Sequence, residues 1–149
     1  MEKSIQNEMR MTFPSLSVNE ALARSCAAAF CAQCNPTFDE LSDIKCAVSE
    51  AVTNAIVHGY RDEVGEISLV MRILPDRVLR IEIRDKGCGI SDIERARQPL
   101  FTTDPAGERS GMGFTVMENF MDSLRVVSTP GKGTKVVLTK KLSALPWVR

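Results

Sequence analysis

Apolar and charged residues alternate from Leu79 to Arg84, and Asp85 falls in phase with Leu79, Ile81 and Ile83. A period of two is the pattern of a half-buried strand. The core-facing stripe therefore ends in a carboxylate, which needs a donor to offset its desolvation. The next residues, Lys86-Gly87-Cys88-Gly89-Ile90, form a turn whose two glycines let backbone approach a ligand closely. Strand and turn together predict one wall of a small-molecule pocket.

The same reading places the other elements. Met9, Met11 and Phe13 alternate with polar residues and predict a first strand. Ser17-Val-Asn-Glu20 has the form of a capping box and predicts a helix running to about Cys34, where Asn35-Pro36 breaks it. Thr37-Phe-Asp-Glu40 is a second box opening a long helix that ends near His58-Gly59, with the glycine suited to a left-handed terminus. Residues 66–74 and 77–85 predict a hairpin around Pro75-Asp76. Ser91-Asp-Ile-Glu94 predicts a third cap and a short helix. Residues 98–111 show no period and read as a long polar loop, a length at which lids and binding loops are common. A helix over 113–121 and strands over 124–128 and 134–140, across Pro130-Gly-Lys-Gly133, complete the chain. Segregated hairpins and helices predict an α+β fold: a two-layer α/β sandwich in which helices cover one face of a mixed, mostly antiparallel sheet.

Composition narrows the class. The 149 residues suit a single domain spanning 1–149, with 44% apolar and 26% charged residues. Nineteen basic residues balance nineteen acidic ones, and no basic excess or stripe of a nucleic-acid-binding domain is evident. No apolar run reaches membrane-spanning length and no leader pattern precedes Met9, so a cytoplasmic location with no membrane partner is expected. Five cysteines are present, but Cys31 and Cys34 have no second such pair, and His58 is the sole histidine. A zinc site would need scattered ligands, and three of the five sit in an alanine-rich apolar helix where free cysteine behaves as a small hydrophobe.

Candidate chemistry lies in three places. Glu50, Asn54 and His58 recur at four-residue spacing, roughly opposite the apolar stripe Ile44, Val48, Ala51, Val52 and Ala55. Such a face either meets water or, if covered, offers an amide oxygen for a divalent cation and an acid for a ligating water or a proton. Asp85 either makes a turn with its own backbone or accepts a hydrogen bond from an amine such as adenine's. Ser110-Gly111-Met112-Gly113-Phe114 opens a helix whose free N–H groups suit phosphate, with Arg109 beside it. Thr102 and Thr103 are either lid contacts or loop polarity. A Walker-type cradle and an intact dinucleotide fingerprint are both missing.

In the order Glu50-x3-Asn54, Asp85-x-Gly87-x-Gly89-Ile90 and Gly111-x-Gly113, the chain resembles the GHKL superfamily of ATP-binding domains, which includes gyrase and histidine kinases. Within it, the chain is similar to the bacterial anti-sigma serine kinases of the sporulation type. Ser49-Glu-Ala-Val-Thr-Asn-Ala-Ile-Val-His-Gly-Tyr60, Arg97-Gln-Pro-Leu-Phe-Thr-Thr103 and the segment from Arg109 to Met121 carry that likeness.

The resemblance implies binding of ATP or ADP with Mg2+. It implies that Asn54 coordinates the metal and Glu50 acts as general base. Asp85 would accept from the adenine amine, with Thr134 in support, while Gly87 and Gly89 allow close packing on the base beside Ile90. Residues 98–113, including Thr102, Thr103, Ser110, Gly111, Met112 and Gly113, would form the ATP lid next to Phe114, and Arg109 would stabilise the transferring phosphoryl group. The implied partners are a sigma factor of the sigma-F type, held by a homodimer, and an anti-anti-sigma protein phosphorylated on serine. Glu20 and Arg24 match the partner-contacting surface; they also read as a simple i, i+4 ion pair. A non-catalytic ATP-dependent sigma-binding module, or a kinase serving a stress-response sigma factor, are the alternatives.

Overall fold

A computed structural model describes residues 4–98 and 113–145. Five strands form one sheet in the order β1-β2-β3-β5-β4: β1 Asn7–Pro14, β2 Glu66–Leu74, β3 Val78–Asp85, β4 Ser123–Thr129 and β5 Gly133–Lys141. All four strand pairings are antiparallel. Helices α1 (Val18–Ala32), α2 (Phe38–Asn54), α3 (Ile93–Ala96) and α4 (Gly113–Phe120) complete the fold. Helix α2 packs against both α1 and α4.

Alternation places Ile67, Leu69, Met71, Leu79, Ile81, Ile83 and Leu138 on the inner face of the sheet, all buried. Ile44, Ala47, Val48, Ala51 and Val52 of α2 meet them as the expected stripe. Each fully buried aliphatic side chain contributes about 1.5–3 kcal/mol, so this seam carries much of the stability. The outer face is charged. It gathers Arg10, Arg72, Arg80, Arg84, Arg125 and Lys135, a basic stripe that cross-strand pairing assembles from residues far apart in sequence. Glu8 and Glu82 relieve part of the repulsion, at 2.9 Å from Arg72 and Arg80 respectively.

The caps divide the sequence expectations. Thr37 forms both bonds of its box, with Glu40 N–H donating to its hydroxyl and its own N–H donating to Glu40. Ser17 makes no side-chain cap and is itself helical. The carboxylate of Glu20 is engaged elsewhere, accepting from Arg24 Nη1 at 2.9 Å and Ser49 Oγ at 2.6 Å. At α3 the cap is Asp92 rather than Ser91, because its carboxylate accepts from Arg95 N at 3.0 Å. The long helix stays α-helical to Asn54 and then widens into a π-helical turn, Ala55–Gly59, closed by Tyr60 N–H donating to Ala55 O at 3.1 Å. Gly59 is not left-handed. Its lack of a side chain serves a close approach: a Cβ there would lie 2.9 Å from Asp85 Cγ.

Candidate functional site

Asp85 ends β3 on the inner face and is 7% exposed. Burial raises its pKa, while the backbone N–H groups of Gly87 and Thr134 pull it back. The Gly87 N–H donates to Oδ1 at 2.8 Å. The turn expected from Asp85-Lys-Gly therefore forms, and Asp85 also lines a cleft of about 200 Å³. The turn with its own backbone and a place in the cleft wall are compatible for this residue.

The loop after Asp85 is latched from both sides. Cys88 N–H donates to Gly59 O at 2.9 Å, and Lys86 N–H donates to the buried Tyr60 hydroxyl at 2.6 Å. Gly131 N–H donates to Cys88 O at 2.7 Å, and Ile90 N–H donates to Ser128 Oγ at 2.7 Å. Gly87 presses directly on the Gly59 carbonyl, and Gly89 has φ +74° against the Thr129 carbonyl. Both positions exclude a side chain, the first by contact and the second also by backbone conformation.

The cleft's other end is built where α2 meets α4. Asn54 is the last residue of α2, and a Cβ on Gly113 would lie 3.0 Å from its amide nitrogen. The start of α4 therefore abuts the asparagine, bringing helix N–H groups and an amide to one place. Asn54, His58, Asp85, Gly89, Ile90, Gly113, Phe114 and Thr134 all line the cleft. Glu50, one turn before Asn54, is half-buried and does not line it. Gly87 supports the cleft from outside, lining a shallower depression beside Cys88. Glu20 and Arg24 lie away from it, tying α1 to α2 through Ser49. Thr102, Thr103, Arg109, Ser110, Gly111 and Met112, and the expected lid as a whole, fall outside the described residues except at its two ends.

Arg61, Ser91, Asp92 and Arg95 also line the cleft, and the sequence reading did not single them out. Arg61 follows the glycine and tyrosine that close the long helix, and that position was its only signal. Ser128 was missed too. It touches the site only through Thr134 and Ile90, which a one-dimensional pattern does not connect.

The arrangement fits a magnesium nucleotide. An acceptor carboxylate sits at one end, while an amide and a helix start sit at the other, and the glycines let the surrounding backbone segments pack closely on one another. Mg2+ bound to a polyphosphate takes most of its ligands from phosphate and water, so one protein amide oxygen suffices. Among the described residues no cluster of three or more His, Cys, Asp or Glu forms a metal site.

This geometry defines a nucleotide-binding domain, and residues 13–140 match the family described as the histidine kinase-like ATPase domain. The crystal structure of the RsbU and RsbW domains of a Mycobacterium tuberculosis protein has the same fold, with a TM-score of 0.70 at 22% identity over 94% of this chain. This chain spans about a third of that one (34%). The histidine kinase domain of a blue-light activated kinase from Erythrobacter litoralis matches with a TM-score of 0.53 at 24% identity, covering 70% of this chain and 45% of that one. The anti-sigma F factors of Oceanobacillus iheyensis and Bacillus subtilis are 54% and 55% identical over 139 residues, 93% of this chain and 95% of theirs. The chain belongs to the anti-sigma F factors within the histidine kinase-like ATPase family. No helix among the described residues is long and apolar enough to cross a membrane.

Proposed function

We propose that this chain is an ATP-dependent protein-serine kinase of the cytoplasm. In this reading it also binds and inhibits a sporulation sigma factor, sigma-F, and phosphorylates a serine of an anti-anti-sigma partner. The observation that carries the proposal is the single cleft joining Asp85 and Thr134 at one end to Asn54 and Gly113 at the other. Asp85 accepts from the adenine amine, and Ile90 and Phe114 give the base apolar contact. Asn54 holds Mg2+, whose role when bound is to neutralise phosphate charge. Glu50 takes the serine proton as the hydroxyl oxygen attacks the γ-phosphorus, the bond from that phosphorus to the β–γ bridging oxygen breaks, ADP leaves, and Arg109 steadies the transferring group. Positioning and charge neutralisation dominate such transfers, which suits this set of residues. Glu20 and Arg24 form part of the surface for sigma, presented by a homodimer, with no direct role for nucleic acid.

The test is transfer of labelled γ-phosphate from ATP to a purified anti-anti-sigma protein. Glu50→Gln and Asn54→Ala should each reduce transfer at least a hundredfold. Unchanged transfer in both variants refutes the assigned roles. Tight ATP binding with no transfer by the unaltered chain reduces the protein to a sigma-binding module.

A further inference from the structure

Three residues at one register level form a row across three strands. Asp85 on β3 is the cross-strand partner of Thr134 on β5, and Thr134 is the partner of Ser128 on β4. Directly paired residues share a face, so all three side chains point toward the helices. Asp85 and Thr134 line the cleft, whereas Ser128 stands behind Thr134 and does not.

Ser128 Oγ has three neighbours within hydrogen-bond distance. Ile90 N lies at 2.7 Å, Gly133 O at 3.0 Å and Thr134 Oγ1 at 2.8 Å. The Ile90 amide only donates and the Gly133 carbonyl only accepts, while each hydroxyl has one proton. One assignment makes all three contacts hydrogen bonds. Ser128 gives its proton to Gly133 O, and Thr134 gives its proton to Ser128. Hydroxyl protons are placed by such network reasoning.

Thr134 then offers the cleft lone pairs only, beside a carboxylate that also offers only lone pairs. That pair of acceptors suits the two protons of a 6-amino group and opposes the O6 acceptor of a 6-oxo purine. We propose that Ser128 is a positioning residue that sets base selectivity by keeping the Thr134 proton turned away from the cleft. The proposal rests on the nucleotide reading above and deepens it: the row Asp85–Thr134–Ser128 discriminates ATP from ITP.

The test is calorimetric titration of the full chain with MgATP and MgITP, for the unaltered protein, Ser128→Ala and Ser128→Thr. The unaltered chain should prefer ATP. Ser128→Ala frees the Thr134 hydroxyl to donate, and should lower the ATP-over-ITP ratio about fivefold or more, with ITP binding tightened. Ser128→Thr retains the hydroxyl and should keep the original ratio. In a Thr134→Val background, Ser128→Ala should no longer change the ratio, since the route through Thr134 is gone. An equal loss for both nucleotides marks Ser128 as merely structural and overturns the proposal. An unchanged ratio in a chain that binds ATP overturns it while leaving the nucleotide reading intact. Failure of the unaltered chain to bind either nucleotide removes both.

Discussion

Gly87→Ala tests how tightly the base loop is seated on the end of the long helix. A Cβ at this position would lie 2.0 Å from Gly59 O, 2.4 Å from Gly59 C and 2.8 Å from Gly59 Cα. These are backbone atoms, so no rotamer change relieves the clash, and loop and turn must separate by well over an ångström. That separation breaks the Cys88 N–H bond to Gly59 O and strains the Gly87 N–H bond to Asp85. Overpacking of this kind costs about 1–3 kcal/mol. A buried group left without its partner adds about 1–3 kcal/mol. The combined loss should be about 3 kcal/mol, which a domain with typical stability of about 5–15 kcal/mol survives. Urea denaturation measures the loss, and calorimetric titration with MgATP measures the site. ATP affinity should fall at least tenfold, because Asp85 loses the amide that orients it. A loss under about 0.5 kcal/mol with affinity intact would refute the argument.

Two further predictions concern titratable groups. Burial raises the pKa of Asp85, so the folded chain holds that proton more tightly than the unfolded chain. Its contribution to stability is therefore greatest below the ordinary carboxylate pKa and is lost as pH rises through the raised value. In the proposed reading ATP binding runs the other way, since the ionised carboxylate would be the acceptor, and affinity should fall as pH drops through that same raised value. A calorimetric pH series checks this, and affinity held constant down to about pH 4 would contradict it. Among the thiols, Cys31 is buried and pushed up to about 12, chiefly by desolvation, while Cys46 and Cys88 are exposed. Alkylation of the folded chain at pH 8 should modify Cys46 and Cys88 well before Cys31, as peptide mapping would report.

The sheet and its helix layer were legible because their patterns are local. Strict alternation marked β3, β2 was placed at its observed limits, and the Thr37 box formed as written. The other two boxes went differently, the first through a tertiary contact and the second through a local shift of the cap. Glu20 turned to Arg24 and Ser49 instead of its own helix start, and Asp92 capped α3 from one residue later. The acid at the end of the inward stripe was readable because phase alone puts it inside. Arg61 and Arg95 were not, since an arginine beside a loop looks alike whether it lines a cleft or faces water. The basic stripe of the outer face was hidden for the same reason. Its members are spread from Arg10 to Lys135 and meet only through cross-strand registry.

The π-helical turn at Ala55–Gly59 carries one residue more than the α-turn it interrupts. That surplus acts as a phase adjuster between Asn54, which lines the cleft beside Gly113, and Gly59, which packs against Asp85. Losing it would let the helix run on unbroken, yet would swing everything beyond by about 100°. The carbonyl of Gly59 would then no longer meet Cys88, and the two halves of the cleft would fall out of step. Helical regularity has been traded here for alignment, so chain length is constrained at this point even where side-chain identity is not.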